Sequence, residues 1–363
     1  MPTTKHTDPV PFIKVKGSHR EIGRQIGEAC SRQIQHCVEN AHAMIAATYD
    51  YIGLDWHGAT IQSRKYIPFA QERYPQYVDE MMGMAEGAGI SFEEMSVLVS
   101  MEAVTSDALH LGKCTSMAVN SDRTTDGHVL LAHNEDWTPE EELDVFIVHA
   151  EPVNEPPFLA MTYGGYPVAV GINAHGIAQG CDSVYPNDTR IGVPRLIVAR
   201  GVLAAKSPSD AISRALIPQR AAGYNHFIVH ESGEIYSVEA SARRFALLYG
   251  EDGWLAHTNY YVDPRMAAIE DEPDELVAKR IRYYRAVRLL AETSQHSIKS
   301  LQAIQRDHIN FPHAICNHDE SVEHPADREK TICALIIDLT ARAMHIAWGN
   351  PCENVYHTYY LDA

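Results

Sequence analysis

The apolar positions of this chain change period more than once, and the changes divide it. Phe12-Ile-Lys-Val-Lys16 alternates like a short strand and stops at Gly17-Ser18. From Glu21 onward Ile22, Ile26, Ala29, Ile34, Cys37 and Val38 recur at helical spacing. This predicts one long amphipathic helix that carries Cys30 and Cys37 as small buried hydrophobes. Tyr74 to Ala88 reads as a second such helix, stopped at Gly87 and Gly89, and Ser91-x-x-Glu94 is a capping box that opens a third. The N-terminal part is therefore mainly helical.

The pattern changes at Cys114. Residues 115–120 and 128–134 alternate as strands around Thr124-Thr-Asp-Gly127, a hairpin signal. Further strand-like runs follow at 145–150, 158–163, 167–173 and 176–180. Pro194 to Ala205 is helical, and Ser207-Pro208-Ser209-Asp210 supplies an N-cap, an early proline and an early acid for the next helix. Strands return at 226–231, 234–240 and 244–249, helices at about 274–292 and 297–306, and strands 331–338 and 343–348 close the series. The acidic stretch 270–275 reads as a solvated loop and helix start. Strands, helices, strands, helices, strands is the order of an α+β protein: two mostly antiparallel sheets with helices outside, in place of a βαβ nucleotide fold. No GxGxxG, P-loop or internal repeat is present.

Composition narrows the function classes. At 363 residues, 45% hydrophobic and 21% charged, the chain suits a soluble globule of one large or two ordinary domains. A net charge of −18 argues against a nucleic-acid partner, because neutralising phosphates takes clustered Lys and Arg. Seven scattered cysteines without a CxxC suit reduced thiols better than a disulfide framework. Met1 to Phe12 lacks an apolar core and no window approaches a membrane span, so a cytoplasmic protein with no membrane partner is expected. The twenty histidines include no HExxH and no ligand pair beyond His313-x4-His318, so neither a metal nor another cofactor is expected.

The candidate chemistry centres on Gly112-Lys-Cys-Thr-Ser116 and His133-Asn-Glu-Asp-Trp137. Folding the hairpin about residue 125 sets Cys114 opposite Asp136, give or take a register step or two. A carboxylate there could hold a cationic α-amino group; a small buried cysteine beside a turn-capping aspartate fits the spacing as well. Arg280, Arg282 and Arg285, with Tyr283 and Tyr284, form a basic and aromatic helix patch that packs against acids or receives a substrate carboxylate.

Several separate stretches make the chain resemble the isopenicillin-N acyltransferase family, cysteine members of the N-terminal-nucleophile (Ntn) hydrolase superfamily. They are Gly17-Ser-His-Arg-Glu-Ile-Gly23 with Gly27, Arg73-Tyr-Pro75 running to Ala85-Glu-Gly87, and Glu102 ahead of Cys114-Thr115. Then come Gly171-Ile-Asn-Ala-His-Gly176 with Gly192-Val-Pro194, His257-Thr-Asn259 and, more loosely, Pro312-His-Ala-Ile-Cys316. The Cys-Thr…Asn-x-Asp core is shared with conjugated bile acid hydrolases.

The resemblance implies a four-layer αββα sandwich made as a precursor. Cys114 cuts the Lys113–Cys114 bond, leaving a helical segment 1–113 packed against a catalytic core 114–363. It implies that Cys114 attacks a small N-acyl substrate with its own α-amine as base, that Asn259 helps hold the oxyanion, and that Asp136 and Asn134 orient the new terminus. Hairpin-end hydrogen bonding for Asp136 and Asn134, and a strand-end role for Asn259, remain open alternatives. Thr115 and Glu102 are supporting candidates, Glu102 either anchoring the segment before the cut or lying on a helix surface. Two departures stand out. Lys113 occupies a position often held by glycine. Ala314 replaces a serine of the penicillin enzyme, leaving neighbouring His313 to substitute or to be an ordinary polar residue. Hydrolysis of an N-acyl amino acid or amine, a β-alanyl amide as in insect relatives among them, is favoured over acyl-CoA-dependent transfer. An uncleaved ligand-binding relative is the non-enzymatic alternative. The assembly state is open, a homo-oligomer included.

Overall fold

The computed structural model describes residues 5–101, 104, 114–271, 276–318 and 328–362. In chain order the strands are β1 (Phe12–Gly17), β2 (Thr115–Val119), β3 (Leu130–Trp137), β4 (Val145–Pro152), β5 (Phe158–Tyr163), β6 (Val170–Asn173) and β7 (Ile177–Asp182). They continue with β8 (Tyr224–His230), β9 (Ile235–Ala240), β10 (Phe245–Tyr249), β11 (Trp254–His257), β12 (Lys330–Asp338), β13 (Ala343–Trp348) and β14 (Tyr356–Tyr360). One sheet runs β1-β4-β5-β6-β7-β8-β9-β10 and the other β11-β2-β3-β12-β13-β14. The edge pair β1 and β4 is parallel; the other strand pairs are antiparallel.

β3 and β12 lie in the middle of the smaller sheet, covered on both faces, and are buried at every position, the polar run His133 to Asp136 included. Between the sheets, Leu131, Leu335 and Ile337 meet Ile147, Leu159 and Phe227. The outer face of the larger sheet (Phe146, Val148, Phe158) packs on Ile22, Ile26, Tyr77, Met81 and Ile197 from the helices His19–Ala29, Pro75–Ala88 and Arg195–Leu203. The outer face of the smaller sheet (Met117, Leu130, Ala132) packs on Ala286, Leu290, Leu301 and Ile304 from the helices Val277–Glu292 and Ile298–Gln305. The result is the four-layer αββα sandwich. Each such fully buried Leu, Ile or Phe contributes roughly 1.5–3 kcal/mol.

The helix expected from Glu21 to Val38 is two helices, His19–Ala29 and Ser31–Ala47, broken at Cys30, whose φ of −117° and ψ of 26° are not helical. Ile22 and Ile26 before the break and Cys30 and Ile34 at and after it lie in one core, so the apolar period runs through the break, while Cys37 and Val38 pass on to the core between the sheets. Gly87 does not end its helix; Gly89, at φ +71°, is the left-handed cap. Gly87 instead belongs to a seam. A Cβ on Gly23, Gly27, Gly83 or Gly87 would lie 1.9, 2.3, 2.2 or 2.2 Å from a backbone oxygen of the facing helix, so His19–Ala29 and Pro75–Ala88 touch backbone to backbone. Beside the seam, Arg200 forks onto Glu80 with two 3.0 Å hydrogen bonds. Burial alone would raise Glu80, but Arg200 and His19 outweigh it and hold the carboxyl down at about 2. Glu270, expected in solvent, is buried, its carboxylate accepting from the Tyr261 amide at 2.7 Å; residues 272–275 lie outside the described set.

Candidate active site

The β2–β3 hairpin forms with Thr115 opposite Asn134, so Cys114, just before β2, falls level with Glu135 and not Asp136. A one-residue step reverses which face each side chain takes. Glu135 therefore shares Cys114's side, between the sheets, and Asp136 points the other way. The Cys114 thiol is buried, with Sγ 3.6 Å from Glu135 Oε1. Burial pushes this thiol well above its ordinary value, the charges of Glu135, Asp182 and Asp136 push further, and a hydrogen bond from the Asp136 backbone amide opposes them.

Behind Glu135 runs a buried relay. Glu135 Oε1 accepts from the Tyr163 hydroxyl at 3.1 Å, and Oε2 lies 2.9 Å from His133 Nε2. His133 Nδ1 lies 2.9 Å from Ser116 Oγ, which donates to Asp182 Oδ1 at 2.9 Å. Asp182 Oδ2 accepts from Asn225 at 2.8 Å and lies 3.3 Å from His257 Nδ1. His257 Nε2 is 2.9 Å from Glu239. The proton positions follow from donor counting. Ser116 gives its one proton to Asp182, so His133 Nδ1 must donate to Ser116; a carboxylate only accepts, so Nε2 must donate to Glu135. His133 is thus an imidazolium. In agreement, burial disfavours its charge but the Glu135 hydrogen bond and the surrounding carboxylates outweigh this and raise it. For His257 burial is likewise overcome, by Asp182 and Glu239, which lift it to about 9.

The opposite face holds a second group. Arg282, buried on the helix Val277–Glu292, donates through Nη1 to the Cys114 carbonyl at 3.1 Å and to Thr115 Oγ1 at 3.0 Å. Its Nη2 donates to Asn259 Oδ1 at 3.0 Å, and Nη1 lies 3.5 Å from Asp136 Oδ2. Asn259 Nδ2 donates to the Ser183 carbonyl at 3.1 Å, which commits one of its two N–H groups. Asp136 Oδ1 accepts from Thr331 at 2.6 Å. Burial raises Asp136 to about 8, against the pull of Arg282 and Thr331. Asn134 Nδ2 donates to the carbonyls of Gln305 and Ile315 at 3.1 and 2.8 Å, binding the strand to the outer helix layer.

Cys114, Thr115, Asp136 and Asn259 are therefore gathered by Arg282, while Asn134 faces the helices. His313 does not line the cleft that holds Cys114. Glu102 and Lys113 lie outside the described residues. Sequence reasoning missed Glu135, His133, Tyr163 and Asp182 as a connected set, and it read Arg282 within a basic and aromatic helix patch that pairs with acids or receives a substrate carboxylate, without connecting it to Cys114. The one available signal was the -His-Asn-Glu-Asp- alternation, which assigns Glu135 and Asp136 to opposite faces once the register is known.

The thiol opens into a cleft walled by Met161, Tyr163, Tyr166, Leu196 and Tyr224 with Trp137 beside them; Ser183 and Arg195 add polar groups. Arg195 lies over the Tyr224 ring at 5.3 Å. Among the described residues two clusters bring metal-ligating atoms within 4.8 Å of one another: Cys114, His133 and Glu135 here, and His308, Cys316, His318 and Cys352 elsewhere. The second cluster revises the sequence expectation, because His318 joins His308 and two cysteines instead of pairing with His313.

An αββα sandwich with a cysteine leading a strand of one sheet and opening into a cleft is the architecture of the Ntn hydrolases. The chain belongs to the acyl-coenzyme A:6-aminopenicillanic acid acyl-transferase family, whose profile matches residues 123–353, starting just beyond Cys114. It is 22% identical to the 40 kDa form of acyl-coenzyme A:6-aminopenicillanic-acid-acyltransferase of Emericella nidulans over 353 residues, covering 93% of this chain and 92% of that one. It is also 22% identical to the beta-alanyl-dopamine/carcinine hydrolase of Drosophila melanogaster, covering 96% and 95%. Among solved structures, penicillin V acylase from Agrobacterium tumefaciens aligns at TM-score 0.44 and 13% identity, over 65% of this chain and 83% of that one. A conjugated bile acid hydrolase mutant from Clostridium perfringens aligns at 0.44 and 14%, over 69% and 97%.

Proposed function

We propose that this chain is a self-processing cysteine amidohydrolase or acyltransferase that acts on small N-acyl compounds through a thioacyl-enzyme on Cys114. The observation that carries the reading is the Cys114 thiol, set at the head of β2 against the buried acceptor Glu135 and opening into an aromatic cleft. In the precursor, Glu135 takes the thiol proton as Sγ attacks the Lys113 carbonyl. Glu135 returns that proton to the nitrogen as the C–N bond breaks, leaving a thioester between the Lys113 carbonyl and the Cys114 sulfur and a free α-amine on Cys114. Water then hydrolyses the thioester, giving fragments 1–113 and 114–363 that stay together.

In the processed enzyme the freed α-amine, with an ordinary pKa of about 7.7–8.0, takes the thiol proton during attack on substrate and returns it to the leaving amine. Arg282 fixes the Cys114 carbonyl and Asn259, and Asp136, which its burial keeps largely protonated near neutral pH, lies beside it. Asn259 offers its second N–H to the oxyanion; one such donor is typically worth about 2.7–4 kcal/mol in the transition state. Asn134 is a positioning residue for β3, Thr115 one for Arg282, and His313 is given no part.

Hydrolysis is preferred to transfer from an acyl-CoA. The described cleft wall presents Arg195 as its one basic side chain, against the several phosphate charges a coenzyme A thioester brings. No helix among the described residues is long and apolar enough to cross a membrane, and all seven cysteines are free thiols, which supports a cytoplasmic setting.

The test is intact mass with N-terminal sequencing of freshly purified protein. Two fragments, the larger beginning at Cys114, are expected, and Cys114→Ala should give one uncut, folded chain without amidase activity. Full turnover by that variant rules the mechanism out.

A further inference from the structure

Four donor atoms converge outside the cleft lining, between the loop that follows the helix Ile298–Gln305 and the turn that joins β13 to β14. They are Nε2 of His308 and His318 and Sγ of Cys316 and Cys352, all within 4.8 Å of one another. The two sulfurs are 3.6 Å apart, each sulfur is 3.4 Å from His318 Nε2, and the two imidazole nitrogens are 3.2 Å apart. Zinc bonds of about 2.3 Å to sulfur and about 2.0–2.1 Å to nitrogen, at tetrahedral angles, require edges of about 3.8 Å for S–S, about 3.5 Å for S–N and about 3.3 Å for N–N. The four edges match these within about 0.2 Å. The sulfurs are far outside the roughly 2.05 Å of a disulfide.

We infer that His308, Cys316, His318 and Cys352 form a Cys2His2 site for a zinc ion. Soft thiolates with imidazoles in a tetrahedron select zinc over the hard, oxygen-seeking cations. Binding converts both thiols to thiolates and releases two protons, so the site as a whole is neutral. All four positions are filled by protein, which marks the ion as structural and leaves no place for a catalytic water.

The surroundings fit a metal shell. Asn350 Nδ2 reaches Cys316 Sγ at 3.6 Å and is fixed by the Asn317 carbonyl at 2.7 Å, an outer contact suited to supporting a thiolate. The Phe311 ring lies 5.6 Å from the His318 ring and 6.4 Å from that of His308. Cys316 is buried and His308 exposed, so the ion has an entry side.

The ion would clamp the end of this loop to the β13–β14 turn. The next residue inward, Asn317, donates its amide to Thr331 Oγ1 at 2.9 Å, and Thr331 donates to Asp136 at 2.6 Å. The clamp thereby holds the backing of Asp136. None of this depends on the chemistry assigned to Cys114.

The test is metal analysis of the full-length protein, reduced, incubated with excess zinc sulfate and desalted. About one zinc per chain is expected. Cys352→Ser and, at the exposed rim, His308→Ala should fall toward background with a lowered melting temperature, and His313→Ala should keep its zinc. Cobalt loaded in place of zinc should give the intense visible bands of a tetrahedral thiolate site in the wild type, a readout that needs no variant to fold. Absence of stoichiometric zinc, zinc retained by Cys352→Ser, or a Cys316–Cys352 disulfide found by mass in protein handled without oxidant would each overturn the site.

Discussion

Replacing Glu135 by Gln tests the site where it is most specific, because the two side chains share a shape and differ in what they can accept. The carboxylate meets three groups: the Cys114 thiol at 3.6 Å, the Tyr163 hydroxyl at 3.1 Å and His133 Nε2 at 2.9 Å. An amide cannot take the thiol proton. General-base assistance is typically worth 10²–10⁴-fold, so cleavage at Lys113–Cys114 should slow by at least about 100-fold, or about 2.7 kcal/mol. The structural penalty should be smaller. Stranding a buried cation would cost roughly 3–5 kcal/mol, but His133 can shed its proton and then accept from the new amide.

That relief depends on pH with a definite sign. His133 is raised in the folded chain, so its contribution is full below its unfolded value of about 6.5 and fades as pH rises through the folded value. Glu135→Gln should therefore be more destabilised at pH 5.5 than at pH 8. The assay is the fraction of uncut chain by intact mass over time, beside thermal melts at the two pH values. Cleavage at the wild-type rate refutes Glu135 as acceptor, and equal destabilisation at both pH values refutes the imidazolium.

Asp136→Asn should gain stability relative to wild type as pH rises from 5 to 8. A buried carboxyl raised from 3.8 to about 8 binds a proton that the unfolded chain lacks, so wild-type stability falls by about 1.4 kcal/mol per pH unit across most of that window, about 4 kcal/mol in all. A pH-independent difference in melting temperature would show that the carboxyl is not so perturbed. Gly83→Ala places a Cβ 2.2 Å from the Arg20 carbonyl and should cost about 3 kcal/mol or more in urea unfolding, since backbone cannot yield as a side-chain tip can. Less than about 1 kcal/mol would mean that the two helices slide apart freely.

Element type was legible in the sequence wherever the apolar period was sustained, and contact geometry was not. The strands from Val145 to Asp182 and the capping box at Ser91 follow from local rules, and local interactions close them; the capping box at Ser18 obeys the same rule but was read only as the end of a strand. The break at Cys30 escaped because amphipathic period reports the buried face and not continuity of the backbone. The edge strands β11 and β14 also escaped, being short and half-exposed, with little period to read. At the site, hairpin geometry brought Cys114 within one residue of its true register, and that one residue exchanged Asp136 for Glu135. Arg282 and Cys352 were beyond local reach altogether, since each meets its partners only after distant elements pack.

The register also separates the two steps proposed for the one thiol. Before cleavage the Cys114 nitrogen is an amide and has no basicity, so a precursor that relied on it could not start. Glu135 is placed to act at that stage, and once the cut is made the α-amine can take over. Glu135→Gln should consequently act on processing far more than on turnover. Chain that has slowly matured should recover much of the wild-type kcat even while uncut precursor still accumulates. Matured Glu135→Gln chain with kcat reduced as strongly as its cleavage rate would mean that the carboxylate, and not the freed amine, carries the proton in both steps.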